Sequence, residues 1–239
     1  EKEANFVCNL NKKKNIANMV NYEFAEINSF HFFKKKILKK IKINKIYLNW
    51  FININKRSEK SWKENHSKGG GIMFNYICHA IYYLEELFGK INSIKTNMAF
   101  NKKFKSLKGE FFFKNNLSAK INIKAGLIKK TVQPIHQLKI SSNKKIYTLE
   151  TKLNSLADKF KLKEFDKYSH DKLGKILSES KNDKSDFRIN PTFLNSKKFS
   201  TWILKNKKQK ANFLYARDIH IILNKILLSS KKRRKIYIN

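Results

Sequence analysis

One histidine in this sequence stands where it could move a proton for a substrate. Asn75 and His79 are four residues apart in a segment whose apolar spacing, from Ile72 to Leu87, predicts a helix, so their side chains share one helix face. A histidine exchanges a proton near neutral pH without further tuning, and an asparagine can hold a hydroxyl group. The pair is chemically able to carry acid–base chemistry at His79 with Asn75 as a hydrogen-bonding partner, but the spacing alone favours the alternative. The alternative is a buried histidine that satisfies a backbone carbonyl.

Three glycines, Gly69 to Gly71, come directly before this helix. Backbone N–H groups at a helix start can bind anions, but the spacing matches neither of the standard glycine-rich phosphate loops. We therefore interpret the glycines as a tight helix entry that lets a substrate approach the backbone. Trp62 and Lys63 precede them, where an indole and an ammonium group could contact a sugar or its phosphate. A packing tryptophan and a solvated lysine are the alternative.

The rest of the chain predicts the elements that position this helix. Hydrophobic residues make up 41% of the 239 residues, which is enough to bury a core. Alternation and three- to four-residue spacing predict strands at 16–24, 43–53, 91–100, 109–125 (a hairpin), 137–140 and 145–149, and helices at 3–15, 30–40, 72–88, from 158 onward with a loop at 182–191, and at 211–228. Neighbouring strands with helices on one face describe an α+β domain with a mixed, largely antiparallel sheet.

The net charge is high, at a formal +35 from 53 basic and 18 acidic residues. Such a balance is typical of proteins that bind nucleic acids. Only five of the basic residues are arginine, however, although the planar guanidinium is the better phosphate ligand. Lysine is spread evenly, and it shares A/T-rich codons with the abundant asparagine, isoleucine, phenylalanine and tyrosine. We therefore attribute the charge to nucleotide bias and expect no nucleic-acid partner.

The cysteines and the lengths of the apolar segments indicate where in the cell the protein works. Cys8 and Cys78 form neither a disulfide framework nor a metal-ligand spacing, which fits a reducing cytoplasm and predicts no metal site. The sequence contains no run of about 18 apolar residues and no signal-peptide pattern, so we expect a cytoplasmic protein without a membrane partner. The histidines other than His79 form no ligand spacing, and we expect them at the surface: His31, His66, His136, His170 and His220.

Residues 61–94, SWKENHSKGGGIMFNYICHAIYYLEELFGKINSI, resemble the signature of the Gfo/Idh/MocA oxidoreductases. The matching positions are Gly69, Gly70, Gly71, Asn75, His79, Phe88 and Gly89. Residues 19–38 resemble the last Rossmann strand and the crossover helix of that family, and residues 43–52 resemble the first long strand of its second domain. Residues 187–203 and the closing helix also fit.

The resemblance implies a domain organisation. Residues 1–28 are expected to be a remnant of the end of a Rossmann domain, and residues 29–239 the C-terminal α+β domain of a dehydrogenase. The glycine-rich turn and Glu-Lys-Pro motif of the Rossmann half do not occur in this sequence. We therefore expect a fragment, or the second part of a split gene, that binds no NAD or NADP alone and is inactive alone. By spacing, Lys2 is a helix-start residue rather than the motif lysine.

The resemblance also implies roles for single residues. His79 exchanges the proton of the substrate hydroxyl, and Asn75 occupies the position of an aspartate in the inositol-type members. Tyr22 ends the strand beside the nicotinamide and contacts the substrate together with Trp62 and Lys63. Ala25 stands where members often carry an arginine.

The function expected from these residues is an NAD(P)-dependent oxidoreductase acting on a sugar, an inositol or a nucleotide sugar. Its partners would be that small molecule, further copies of the chain paired through an open sheet face, and a separately encoded Rossmann half. Two alternatives stay open: a non-catalytic scaffold or oligomerisation protein, and a basic RNA-associated protein.

Overall fold

The computed structural model describes residues 2–53, 70–101, 103–126, 135–151, 160–168, 174–179 and 189–238. Its strands are β1 (Ile43–Asn53), β2 (Ile91–Asn101), β3 (Lys103–Phe113), β4 (Ser118–Gly126), β5 (His136–Ser142), β6 (Lys145–Thr151), β7 (Lys161–Asp166), β8 (Lys175–Glu179) and β9 (Ile236–Tyr237). Its α-helices are α1 (Lys2–Lys14), α2 (Asn28–Phe32), α3 (Cys78–Phe88), α4 (Ile189–Lys205) and α5 (Phe213–Lys232).

Shorter helical segments extend two of these helices. α2 continues as a π-helix over Phe33–Ile37 and a 3-10 turn over Leu38–Lys40. A π-helix over Met73–Ile77 leads into α3, and a separate 3-10 turn spans Glu23–Glu26. The predicted helices at 30–40 and 72–88 are therefore present, with wider turns inside them.

The nine strands form one sheet in the order β8-β7-β6-β5-β1-β4-β3-β2-β9. β1 and β4 pair in parallel, and every other described pair is antiparallel. The expected α+β class with a mixed, largely antiparallel sheet is confirmed.

Alternation along the strands decides which face of the sheet carries the core. In β1 the side chains of Ile46, Leu48 and Trp50 are buried, while the residues between them are more exposed. Successive strand residues point to opposite faces, so these three side chains lie on one face. α3 and α5 cover that face, because Tyr83 of α3 lies against His136 of β5 and α5 packs along β2. Helix α3, which carries His79, therefore lies on this face of the sheet and contacts α5 beside it.

Two of the predicted elements are wrong. Residues 16–24 form no strand: the N–H of Val20 donates to the carbonyl of Ala211, 2.7 Å away in the loop before α5, and no ladder forms there. Between Asp158 and the predicted loop at 182–191 the described residues are strands rather than helix, because β7 pairs with β6 and with β8, whereas α4 after that loop is helical as predicted. Phe160 and Leu162 are buried two residues apart, which is strand spacing, and Leu162 lies opposite Leu149.

No helix in the described part of the chain combines the length and the apolar character that crossing a membrane requires.

Candidate functional site

The entry to α3 is a tight turn. Gly71 has φ +82°, a conformation that side chains with a Cβ rarely adopt, and the helical residues begin directly after it. The first turn is π-helical, with the N–H of Cys78 donating to the carbonyl of Met73. Single π turns inside helices occur frequently at functional sites. The predicted tight helix entry is thus present at Gly71, whereas Gly69 lies outside the described residues.

His79 lies one turn into this helix with its ring between two aromatic side chains. The ring of Tyr22 meets it edge-on at a centroid distance of 5.6 Å, and that of Phe24 at 5.5 Å. The side chain is partly exposed, but Nδ1 is buried and has no hydrogen-bond partner among the described residues. Burial lowers the pKa of His79 from 6.5 to about 4.

This pKa corrects one part of the sequence argument. We expected an untuned histidine that titrates near neutral pH, but the ring is desolvated and favours its neutral form. At pH 7 His79 is therefore an imidazole with a free nitrogen. It can accept a proton or a hydrogen bond, and it is not an acid in that state.

The other predicted site residues lie at different depths. Asn75 is partly exposed in the π turn that precedes His79. Tyr22 is buried and stacks on Tyr82 at a ring distance of 4.3 Å, and burial raises the pKa of its phenol well above the ordinary value. Tyr22 therefore stays protonated and fixes the imidazole of His79 by packing. Trp62 and Lys63 lie outside the described residues.

His136 is not at the surface, and that expectation is wrong. It is 2% exposed, its ring stacks on Trp50 at 4.2 Å, and its Nε2 lies 2.9 Å from the hydroxyl of Tyr83. Burial lowers the pKa of His136 to about 3. The alternation of His136 with Leu138 and Ile140 along β5 was the signal for this, because those side chains face the core. His66 and His170 lie outside the described residues.

A pocket of about 120 Å³, which the sequence did not reveal, lies beside α3. We call it the Glu26–Glu86 pocket. Its polar lining combines two carboxylates with three ammonium groups and an imidazole: Glu26, Glu86, Lys34, Lys198, Lys210 and His31. Its apolar lining includes Met19, Phe30, Tyr82 and Leu87. His79, Asn75 and Tyr22 do not line this pocket.

Each carboxylate of the pocket has two basic partners. Glu26 accepts from Lys198 at 2.5 Å and lies 3.1 Å from Nε2 of His31; Glu86 accepts from Lys34 at 2.5 Å and also pairs with Lys210. Burial raises the pKa of both glutamates, but the hydrogen bonds and charges of these partners outweigh it, so both pKa values lie below the ordinary one. Both carboxylates are ionised at neutral pH.

The described residues do not fit a nicotinamide dinucleotide. Such a cofactor needs a parallel strand that runs through a glycine-rich turn into a helix, and the sequence contains no such turn. The described residues also contain no group of three histidine, cysteine or acidic side chains that could hold a metal ion.

The family comparison matches residues 34–147 to the C-terminal alpha/beta domain of an oxidoreductase family, GFO_IDH_MocA. These residues belong to the Gfo/Idh/MocA oxidoreductase family. The match contains Asn75, His79 and the strands from β1 to β5. No curated protein sequence matches the chain.

Solved structures of Gfo/Idh/MocA-like proteins share the fold at low sequence identity. Levoglucosan dehydrogenase in its apo form superimposes with a TM-score of 0.79 and 12% identity, covering 100% of this chain and 70% of that one. The transcriptional regulator Gal80p from Kluyveromyces lactis superimposes with a TM-score of 0.81 and 12% sequence identity, covering 99% of this chain and 66% of that one. An NAD-binding oxidoreductase from Klebsiella pneumoniae superimposes with a TM-score of 0.77 and 11% sequence identity, covering 100% of this chain and 71% of that one. At these identities the likeness establishes the fold alone.

Proposed function

We propose that this chain is the substrate-binding domain of an NAD(P)-dependent dehydrogenase that acts on a sugar, an inositol or a nucleotide sugar. The observation that carries the proposal is His79: a neutral, partly exposed imidazole whose Nδ1 has no hydrogen-bond partner among the described residues, placed just after a tight helix entry inside the family match. An unpaired buried polar atom is uncommon in folded proteins, and a substrate hydroxyl would provide its missing partner.

His79 accepts the proton of the substrate hydroxyl in this proposal. The neutral imidazole has the lone pair that this step requires, and the rings of Tyr22 and Phe24 hold its plane. Asn75, on the preceding turn, binds a neighbouring hydroxyl. Because desolvation disfavours the protonated ring, His79 releases the proton to solvent rather than keeping it.

The remaining parts of the proposal concern what lies around this domain. A nicotinamide cofactor would be held by a Rossmann domain, of which residues 1–28 would be the end and after which residues 29–239 would form the C-terminal domain. The protein would work in the cytoplasm as a homo-oligomer paired through the sheet face opposite α3. Half-buried aromatic side chains on that face, Tyr47 and Phe51, support such pairing.

Histidine-detected NMR tests the site without a cofactor. The chain, labelled with ¹³C at histidine Cε1, is titrated with levoglucosan, L-sorbose and myo-inositol, because structures of levoglucosan dehydrogenase contain the first two. We expect a saturable shift of the His79 signal with at least one polyol. Asn75→Ala should weaken that binding about 10-fold, the effect of one lost hydrogen bond.

Asn97→Ala is the matched control, because Asn97 is an exposed asparagine on β2. It should bind each polyol like the unchanged chain. A His79 signal that ignores every polyol, or equal binding by the two asparagine variants, would contradict the proposal and favour a non-catalytic scaffold.

A further inference from the structure

We propose that the Glu26–Glu86 pocket binds a small organic monoanion, a carboxylate with a short apolar body. This proposal does not rest on the proposed function. The stacked rings of Tyr22 and Tyr82 stand between the pocket and His79, because Tyr82 lines the pocket while Tyr22 contacts His79 and does not line it.

The charges of the pocket leave one positive charge without a counterpart. Three ammonium groups face two carboxylates, and His31 adds further hydrogen-bonding capacity. The carboxylate side chains of Glu26 and Glu86 are 5% and 14% exposed, whereas those of the three lysines are between 41% and 51% exposed. The carboxylates therefore lie behind the ammonium groups, and the ammonium groups face the opening.

The ammonium groups keep donors for a ligand. An ammonium group has three N–H donors. Lys34 and Lys198 each use one of them in a hydrogen bond to a glutamate, and Lys210 forms an ion pair with Glu86. The glutamates thereby fix the positions of the lysine side chains before a ligand arrives. An incoming carboxylate would accept charge-assisted hydrogen bonds from these preset donors, and it would neutralise the excess charge.

The lining and the size of the pocket select the rest of the ligand. Phe30, Tyr82 and Leu87 add apolar surface to the lining, and this surface would contact the short apolar body of the ligand. The volume of about 120 Å³ is slightly below that of an apolar cavity of about 150 Å³ that accepts benzene. A body of about four to six carbon atoms fits this space, whereas inorganic phosphate would leave the apolar surface uncovered.

Benzoate is the probe that tests this assignment, and benzyl alcohol is its neutral isostere. Histidine-detected NMR of the chain at physiological salt follows His31, which lines the pocket, and His79, which does not. Benzoate should shift the His31 signal saturably and leave the His79 signal in place. Benzyl alcohol should bind at least about 10-fold more weakly, because it lacks the charge that the lysines recognise.

Variants of the lysines locate the binding. Lys198→Gln and Lys210→Gln should each weaken benzoate binding by about 10-fold or more, the value of a hydrogen bond to a charged group. Lys124→Gln removes the same charge from an exposed position on β4 and should leave the affinity unchanged. If a pocket variant fails to fold, the comparison of benzoate with benzyl alcohol on the unchanged chain still decides.

Several results would overturn the proposal. If benzyl alcohol binds as tightly as benzoate, the pocket recognises only apolar surface and not the carboxylate. If inorganic phosphate binds as tightly as benzoate, the lysines act only as a basic surface and the apolar lining does not contribute. The absence of any benzoate shift would leave only ion pairs that hold the fold together. Because polyols are read at His79 and benzoate at His31, failure here and failure of the proposed function give different results.

Discussion

Mild acid should destabilise this protein through two imidazoles of the described residues that folding desolvates, those of His79 and His136. The pKa of His79 falls from 6.5 to about 4 on folding, and that of His136 falls to about 3. Between these values and 6.5 the unfolded chain binds more protons than the folded one, so the free energy of unfolding decreases as the pH decreases. The stabilisation is complete above pH 6.5, and for His79 it is fully lost at about pH 4.

The magnitude follows from the size of this window. Each pH unit below 6.5 lowers the free energy of unfolding by about 1.4 kcal/mol for each buried histidine. At pH 5, His79 alone should therefore account for about 2 kcal/mol, a large part of the stability of a typical domain. Glu26 and Glu86 act at lower pH, because their pKa values lie below 4.5 and their stabilisation is lost only when they protonate.

Urea unfolding at a series of pH values from 7.5 to 5 measures this directly. His79→Gln, which cannot titrate, should lose about 2 kcal/mol less than the unchanged chain over this range, while its slope above pH 6.5 stays the same. His136→Gln provides the same comparison at a residue outside the candidate site. An unchanged pH dependence in His79→Gln would show that the ring is not desolvated, and it would refute the reasoning about its neutral state.

Two further substitutions, Glu85→Ala with Glu179→Ala as its control and Gly109→Ala, test the contacts that hold α3 and the sheet. Glu85→Ala should lower the free energy of unfolding by about 3 to 5 kcal/mol, since its buried carboxylate accepts from the N–H of Ile91 at 3.0 Å and the hydroxyl of Tyr215 at 2.6 Å. Glu179→Ala, which removes an exposed ion pair, should cost less than about 1 kcal/mol in the same urea titration. Gly109→Ala should lower the melting temperature, because its Cβ would lie 2.4 Å from a backbone oxygen of β2; a variant as stable as the unchanged chain would contradict this close approach.

The sequence predicted the part of the site that depends on local spacing. Gly71, Asn75 and His79 follow one another within three helical turns, so periodicity and turn chemistry are sufficient to place them on one helix entry. Gly89, with φ +91°, ends α3 as its C-cap, and its N–H donates to the carbonyl of Glu85. The strands β1, β4 and β5 also follow from alternation, because each has one face on the core.

Elements that depend on distant partners were not predictable in the same way. Residues 16–24 are apolar enough for a strand, but no described strand pairs with them, so they bind the loop at Ala211 instead. β7 contains alternating lysines that also suit an exposed helix, and its pairing with β6 decides the outcome. The charged side chains of the Glu26–Glu86 pocket come from positions as far apart in the sequence as Glu26 and Lys210. No local sequence pattern can predict that they lie together.

The burial of His79 also determines which direction of proton transfer the proposed function can use. With a pKa of about 4, only about one molecule in 1,000 carries the imidazolium form at pH 7, so His79 can accept a proton from a hydroxyl but rarely has one to donate. Oxidation of an alcohol needs such an acceptor, whereas reduction of a carbonyl needs a donor. In the proposed function, the apolar rings of Tyr22 and Phe24 therefore keep the imidazole in its proton-accepting form, while the equilibrium between alcohol and carbonyl is set by the reactants.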